Sequence, residues 1–199
     1  YDREFYVTPA VLIPRPETEL LLERALEWTG SRALTAADIG TGSGALAVTL
    51  KANRPAVEMH AVDISPQALE VARRNAKRYN VAIHFHEGDL LTPLIERSIR
   101  LDLIMANLPY IPAGDLPGLV VTRYEPRLAL DGGADGLDLV RRLLLQVPQV
   151  TNPNALILLE IGAGQGAATL ALVRDLLAPQ RAELILDYAG HDRIVHAQL

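Results

Sequence analysis

Four adjacent residues could together hold a planar group that carries an NH2: Asn107, Leu108, Pro109 and Tyr110. They follow the apolar run 101–106, which is typical of a short buried strand. The Asn107 side chain can accept from an NH2 group, and Pro109 holds Leu108 extended, which fixes the direction of the Leu108 carbonyl. Tyr110 offers a flat face. The pattern indicates a site for a nucleobase or a carboxamide, although alone an Asx-Pro turn ending a strand explains it better.

A glycine-rich stretch with the sequence DIGTGSG stands at residues 38–44, between a predicted strand and a predicted helix. Glycines there let the backbone approach a ligand closely. The string also fits the dinucleotide-binding pattern G-x-G-x-x-G/A, which is weak evidence alone because a tight turn has a similar composition. We predict that this stretch binds a cofactor through Asp38, Gly40, Thr41, Gly42, Ser43 and Gly44.

Two further carboxylates directly follow predicted strands. Asp63 lies ~20 residues past the glycine-rich stretch, the usual place of the carboxylate that binds both ribose hydroxyls of a cofactor. Asp89 could accept from an adenine amino group. Each residue alone could be a helix cap, but polar groups at four strand ends indicate one ligand site. The predicted cofactor-binding set is completed by Asp63, Ile64, Asp89, Leu90 and Asn107.

The acidic residue at the start of the glycine-rich stretch helps to choose between cofactors. A nicotinamide dinucleotide presents a pyrophosphate, which a carboxylate such as Asp38 would repel. S-adenosylmethionine has no phosphate and carries a sulfonium and an ammonium, which a carboxylate attracts. The sequence therefore favours S-adenosylmethionine, with S-adenosylhomocysteine as its product.

An alternation of strands and helices would position these residues. Strands are predicted at 34–39, 57–62, 81–86, 101–106, 155–161, 182–188 and 194–199. Helices are predicted between most of them, at 45–53, 66–79, 92–97, 137–147 and 165–177. The predicted fold class is α/β, with a doubly wound, Rossmann-like, seven-stranded and mostly parallel sheet. Only a few residues around Gly190 join the last two strands, so one antiparallel strand should lie near the edge.

Other segments are interpreted more simply. Residues 1–10 are expected to form a short hairpin or an arm, and the Pro/Gly-rich connection 111–136 is typical of a functional loop. His84 and His86 share a strand face, but two solvent-facing residues are a better interpretation than a metal site, since no third ligand is evident. The arginines at 141–142 are interpreted as a solvated helix face.

The composition suits a single domain over residues 1–199, with 49% hydrophobic residues and a net charge of −5. The absence of cysteine excludes disulfides and thiolate metal sites, and no metal is expected. The negative charge weakly disfavours a phosphate-backbone partner, and no apolar run approaches the ~20 residues of a bilayer span. We expect a cytoplasmic protein without membrane contact. The chain begins with Tyr1, so we also expect a piece of a longer protein.

The strand-end residues described above resemble the motifs of class I S-adenosylmethionine-dependent methyltransferases that modify amino groups. The sequences IPRPETE at 13–19 and YEPRLALDGG at 124–133 narrow the resemblance to the glutamine N5-methyltransferases of peptide chain release factors, the HemK/PrmC family. The resemblance covers essentially the whole chain. It departs from the family at Leu108, where a Pro is usual, and in lacking the family's N-terminal helical domain.

The resemblance implies methylation of the side-chain amide N5 of the Gln in a release factor's Gly-Gly-Gln motif, a modification connected with translation termination. It implies that Asn107 and the Leu108 carbonyl hold the substrate NH2, that Pro109 restrains Leu108, and that Tyr110 packs beside the amide. It also places three residues at the mouth of the site, in contact with substrate: Pro14, Arg15 and Pro16. Release factors would be the protein partner, and no stable nucleic-acid binding is expected.

Other functions share part of this pattern. A methyltransferase acting on an exocyclic amine of adenine or guanine would use a similar Asn-Pro motif, but it needs a basic surface for phosphates. A ribosomal-protein glutamine methyltransferase is a relative that the 13–19 sequence disfavours. A nicotinamide-dependent oxidoreductase is disfavoured by Asp38 and by the lack of a convincing acid or base for hydride transfer. A cofactor-binding module without activity would leave residues 107–110 without a role.

Overall fold

A computed structural model describes residues 1–199 and contains seven strands and six α-helices. The strands are β1 (Thr35–Ile39), β2 (Glu58–Asp63), β3 (His84–Glu87), β4 (Leu101–Asn107), β5 (Thr151–Glu160), β6 (Arg181–Leu186) and β7 (Asp192–Gln198). The helices are α1 (Thr18–Thr29), α2 (Ala45–Asn53), α3 (Pro66–Arg78), α4 (Thr92–Glu96), α5 (Asp138–Gln146) and α6 (Gly166–Leu177). Short 3₁₀ turns lie at Val120–Arg123, Arg127–Ala129 and Val147–Gln149.

The strands form one sheet in the order β3-β2-β1-β4-β5-β7-β6. Strands β1 to β5 pair in parallel, whereas β7 lies between β5 and β6 and is antiparallel to both. This confirms the predicted α/β class and the single antiparallel strand near the edge. The order reverses between β1 and β4, so the helices that follow these strands leave a crevice beyond their carboxyl ends.

Apolar side chains cover both faces of the sheet because neighbouring residues of a strand point to opposite sides. In β4, Leu103 belongs to the core beneath α1 and α2, while Ile104 belongs to the core beneath α4 and α5. Both residues are fully buried. The near-continuous apolar sequence of the central strands follows from this two-sided burial. None of the helices combines the length and the apolar character that crossing a membrane requires.

Most predicted boundaries agree with the structure to within a few residues, and α2 begins and ends where predicted. Ser65 caps α3 by accepting from the Ala68 N–H at 3.2 Å, and Pro66 takes the first helical position, as the sequence indicates. The third strand is shorter than predicted and begins at His84 rather than at residue 81. It is an edge strand that pairs with β2 alone over four positions.

Residues 1–10 form an arm rather than a hairpin, because their backbone bonds to α3 and not to itself. The Asn75 side chain accepts from the Tyr6 N–H at 2.8 Å and donates to the Tyr6 carbonyl at 2.9 Å. The same amide donates to the Ser43 carbonyl at 2.8 Å, which ties the arm to the glycine-rich stretch. The Arg74 guanidinium stacks on the Tyr6 ring at 3.6 Å.

The two histidines of β3 differ in their environments, so the prediction that both face solvent is wrong for one of them. His84 is exposed, but His86 is half-buried, with Nε2 3.0 Å from Nδ1 of the buried His60 on β2. Burial, together with the neighbouring His60 and Arg97, lowers the pKa of His86 to about 4. His86 is therefore neutral at pH 7 and packs as an uncharged ring.

Replacing Asn75 by Ala should lower the free energy of unfolding by about 1–3 kcal/mol, because the Tyr6 backbone groups and the Ser43 carbonyl lose a buried partner. Urea denaturation measures the change. Asn53→Ala is the matched control, since the Asn53 amide bonds only to Thr49 of its own helix. Equal stability of the two variants would contradict this account of the arm.

Candidate active site

The carboxyl ends of β1, β2 and β4 open onto one cavity of about 470 Å³. All four predicted strand-end residues line it: Asp38, Asp63, Asp89 and Asn107. So do most of the other predicted site residues, namely Gly40, Thr41, Gly42, Ser43, Ile64, Leu90, Leu108, Pro109, Pro14 and Arg15. Three predicted site residues stand apart from the cavity wall: Gly44, Pro16 and Tyr110. The sequence pattern therefore identified the location of the cavity.

The glycine-rich stretch needs glycine for two different reasons. Gly40 has a φ of +72°, and a Cβ there would lie 3.0 Å from the Leu108 side chain, so the first turn approaches the β4 end closely. Gly44 has a φ of +80°, and its added Cβ would lie 3.0 Å from the Cβ of Ala72. Gly44 thus lets α2 pack against α3, which is a structural role rather than the predicted ligand contact.

Asp38 is a fully buried carboxylate that braces this stretch. Its Oδ2 accepts from the Thr41 hydroxyl at 2.7 Å and from the Ala47 N–H at 3.2 Å. Burial raises the pKa of Asp38 to about 6, and the hydrogen bonds from Thr41 and Ala47 only partly oppose this. Asp38 is therefore ionised at pH 7 at a cost to stability, which a cationic ligand in the cavity would reduce.

Asp63 bridges the glycine-rich stretch and α3. Its Oδ2 accepts from the Gly42 N–H and its Oδ1 from the Ser65 N–H, both at 2.9 Å. Burial raises the pKa of Asp63, while these backbone bonds lower it. Each carboxylate oxygen has more than one lone pair, so both can still accept from a vicinal diol in the cavity. The geometry fits the ribose role expected from the sequence.

Asp89 has a partner that the sequence did not reveal. Its carboxylate forms an ion pair with Arg142, which projects from α5 and also lines the cavity. Arg142 is exposed, in agreement with the interpretation of residues 141–142 as a solvated helix face, but it also contributes to the cavity wall. Arg141 pairs with Asp135 and Asp138. The sequence contained little indication of the Asp89–Arg142 pair, because the two residues lie 53 positions apart.

Asn107 ends β4 with its side-chain amide already oriented. Nδ2 donates to the Thr18 hydroxyl of α1 at 3.1 Å, which leaves Oδ1 as the free acceptor of the amide. Leu108 is buried against Gly40, and Pro109 restrains its backbone. The 107–110 stretch therefore presents a defined acceptor at the cavity.

Tyr110 lies just beyond the cavity, in the wall of a neighbouring groove of about 350 Å³. Its carbonyl accepts from the Gln165 side chain at 3.0 Å, and its ring lies beside Gly162. Burial raises the pKa of the Tyr110 hydroxyl, with the Glu160 charge adding to the effect. The tyrosine is therefore neutral at pH 7 and offers an uncharged face between the two depressions.

An ion pair joins Arg15 of the cavity wall to Glu125 of the loop 111–136. Arg15 donates to both carboxylate oxygens of Glu125 at 2.7 and 2.8 Å, and the Ile13 N–H donates to the same carboxylate at 3.3 Å. Glu125 is 5% exposed, so its charge is buried and paired. Arg15, predicted to contact substrate, thus first ties residues 10–15 to the loop 111–136. Glu125 was missed although it lies within the 124–133 motif.

Two more residues next to Asn107 were also missed. Thr18 begins α1, and Glu160 ends β5 and pairs with Asn107 across the parallel ladder. Glu160 is only 3% exposed. Its place at the end of the apolar run 155–159 was a usable signal, since the other site carboxylates also follow buried strands. Thr18 gave no signal beyond its membership of the 13–19 motif.

Comparisons with known proteins agree with this geometry. Residues 16–123 match a family described as the methyltransferase small domain. The chain is 42% identical over 205 residues to a release factor glutamine methyltransferase from Bacillus anthracis, covering all of this chain and 72% of that protein. It is 47% identical over 194 residues to a release factor glutamine methyltransferase from Moorella thermoacetica, and the match covers 96% of this chain and 68% of that protein.

A solved structure shares the fold at low sequence identity. The ribosomal protein L11 methylase from Lactobacillus delbrueckii subsp. bulgaricus matches with a TM-score of 0.67 at 19% identity, covering 94% of this chain and 81% of that one. The likeness supports the seven-stranded architecture, while the identities above define the family.

Replacing Asp63 by Ala should weaken S-adenosylmethionine binding by ~1.5–3 kcal/mol, because the cavity loses a charged acceptor for the ribose hydroxyls. Titration calorimetry measures the affinity, and thermal melting checks that the fold survives. Asp115→Ala, at an exposed aspartate outside the cavity, is the control. Unchanged affinity in the Asp63 variant would remove this residue from the cofactor site.

The buried charge of Asp38 should make stability depend on pH. Its pKa is about 6 in the folded protein against a usual 3.8, so stability is lost as the pH rises through this window. The free energy of unfolding of Asp38→Asn, measured relative to that of the wild type, should therefore increase by on the order of 3 kcal/mol between about pH 4 and pH 7. Urea denaturation at several pH values measures this, with Asp175→Asn on the exposed side of α6 as control. A pH-independent difference would contradict the assignment.

Proposed function

The chain belongs to the release factor glutamine methyltransferase family, and we propose on that premise that its acceptor is a glutamine amide of a protein. It is an S-adenosylmethionine-dependent methyltransferase. The substrate we propose is the side-chain N5 of the Gln in the Gly-Gly-Gln motif of peptide chain release factors. Residues 1–199 act in this proposal as one catalytic domain.

The residues around the cavity fit S-adenosylmethionine. The cavity of about 470 Å³ is of the size that holds small ligands. The buried Asp38 carries a negative charge and Asp63 offers carboxylate oxygens, which suits a ligand with two cationic groups and a ribose better than one with phosphates. When bound, the cofactor supplies an electrophilic methyl group on its sulfonium.

The observation that carries the proposal is the oriented amide of Asn107. Its Nδ2 is engaged with Thr18, so its oxygen is available to accept one hydrogen of the substrate NH2. The Leu108 carbonyl, held by Pro109, is proposed to accept the other. Leu108 stands where the family usually has Pro, but a Leu carbonyl accepts equally well. The substrate nitrogen is thereby fixed by two acceptors.

Positioning accounts for most of the proposed catalysis. An amide nitrogen is a poor nucleophile because its lone pair is delocalised into the carbonyl. Two acceptors favour the nitrogen over the amide oxygen, since they bind N–H groups and repel an oxygen. Such orientation can contribute roughly 7–11 kcal/mol in the best cases. The same acceptors stabilise the N–H hydrogens as these become more positive during methylation. A strong base is unnecessary, because an N-alkylated amide cation loses its proton readily.

A protein substrate also fits the charge of the chain. The net charge of −5 gives no general attraction to a phosphate backbone. We therefore propose that stable nucleic-acid binding is absent and that the acceptor is a polypeptide loop. Tyr110, Pro14 and Pro16 are proposed to contact that loop around the mouth of the cavity.

The function is tested by incubating a purified release factor with this protein and S-adenosylmethionine, followed by peptide mass spectrometry. We expect one added methyl on the Gln of the Gly-Gly-Gln motif and none on a factor in which this Gln is replaced by Glu. A methyl group on another residue, or transfer to the substituted factor, would overturn the proposed substrate.

Asn107→Ala should keep the fold and most of the cofactor affinity but lower the single-turnover rate by ~10²-fold or more, as when an oriented polar group is removed from an active site. Asn107→Asp keeps an acceptor oxygen, so its rate should lie between those of the wild type and the Ala variant. Calorimetry and single-turnover transfer to a release factor measure the two quantities. The Asn53→Ala protein is the control. A wild-type rate in Asn107→Ala would reduce the 107–110 stretch to a turn.

A further inference from the structure

Glu160 is a buried carboxylate that no ion pair explains. It is 3% exposed, and its Oε2 has no hydrogen-bond partner. The nearest cation on β7, Arg193, forms its ion pair with Asp187 at 3.0 Å instead. Burying a charge without a partner is costly, so a role in the site would explain why the strand ends in Glu rather than in an apolar residue.

The surroundings of Glu160 lead directly to the substrate-binding amide. Glu160 pairs with Asn107 across the β4–β5 ladder. Hydrogen bonding from the side chains of Thr18 and Asn107 lowers the pKa of Glu160 and so favours its ionised form. Thr18 in turn accepts from Asn107 Nδ2 at 3.1 Å. The three side chains, from α1, β4 and β5, therefore form one connected polar cluster.

The ionised carboxylate determines which group donates and which accepts in each hydrogen bond of this cluster. A carboxylate can only accept, so in a hydrogen bond between Thr18 and Glu160 the Thr18 hydroxyl must be the donor of its single hydrogen. That hydroxyl can then only accept from Asn107, which forces Nδ2 toward it and Oδ1 away from it. With an uncharged partner in place of Glu160, Thr18 could donate to Asn107 instead, and the amide could flip. A flipped amide would present an NH2 to the substrate NH2.

We propose that Glu160 and Thr18 are positioning residues for methyl transfer, which hold the Asn107 amide with its oxygen toward the acceptor. This proposal rests on the proposed function, since it names what orients the group that binds the substrate amide. Glu160 acts through Asn107 and does not itself touch the reacting atoms. In this proposal the buried charge of Glu160 lowers stability but orients the Asn107 side chain.

The donor and acceptor roles in the cluster depend on pH, because they depend on whether Glu160 is ionised. Burial raises the pKa of Glu160, and Glu17 of the adjoining turn also raises it. Hydrogen bonding from Thr18 and Asn107 and the charge of Arg193 lower it, and the resulting pKa is about 7. Tyr110, also nearby, is neutral in this range. A protonated Glu160 can donate to Thr18, which releases the constraint on the amide. Methyl transfer should therefore increase as the pH rises through about 7.

The decisive variant is Glu160→Gln, which keeps the size of the side chain but can both donate and accept. We expect unchanged S-adenosylmethionine affinity, a single-turnover rate lowered by about 10- to 10²-fold, and loss of the rise near pH 7. Glu87→Gln, an exposed strand-end glutamate outside the cavity, is the matched control and should behave as the wild type. Thr18→Val should lower the rate as well, and Thr18→Ser should restore it.

Stability separates positioning from a merely structural role. The folded-state pKa of Glu160 is raised from 4.5, so its ionisation lowers stability as the pH rises toward about 7. Glu160→Gln should therefore be at least as stable as the wild type at pH 8, although it is slower. Wild-type rate and pH profile in Glu160→Gln would overturn the proposal, as would failure of Thr18→Ser to rescue. If the wild type itself does not methylate the release factor, the proposed function fails instead.

Discussion

The parallel pairing of β1 with β4 is the constraint on which the site depends. Its register sets Ile39 opposite Ala106, so the residues that follow, Gly40 and Asn107, emerge side by side at the same edge. A slip by one residue would exchange the two faces of each strand and separate the glycine-rich stretch from the amide. Gly40 has a φ of +72°, and a Cβ on it would lie 3.0 Å from the Leu108 side chain, so the pairing of the two strands favours glycine at this position.

The sequence predicted the strand ends and the order of elements well, because hydrophobic runs, a Ser-Pro helix start and glycines are local signals. It failed where a side chain depends on a partner far along the chain. The pairs Arg15–Glu125, Asp89–Arg142 and Thr18–Asn107 join residues 110, 53 and 89 positions apart. Nothing in hydrophobic periodicity encodes such pairs, so the identity of the cavity residues was predictable whereas their bonding was not.

The site concentrates buried negative charge in a chain that could have been more stable without it. Burial raises the pKa values of Asp38 and Glu160 to about 6 and about 7. Glu125, in contrast, is paired with Arg15. Asp38 lines the ligand cavity, and Glu160 pairs with Asn107 across the β4–β5 ladder. The buried charges of Asp38 and Glu160 therefore lower stability at positions where they can interact with a bound ligand or with the Asn107 amide.

The position of β7 has a consequence for how the chain folds. Strand β6 has no hydrogen bonds to β5, so it belongs to the sheet only through β7, which follows it in the sequence. Either the hairpin of β6 and β7 forms first and then docks onto β5 as a unit, or β7 pairs with β5 before β6 can join the sheet. Until that step is complete, β5 exposes an unpaired edge next to Glu160. During folding, the side of the sheet beyond β5 is thus vulnerable to pairing with another chain until its last strand arrives.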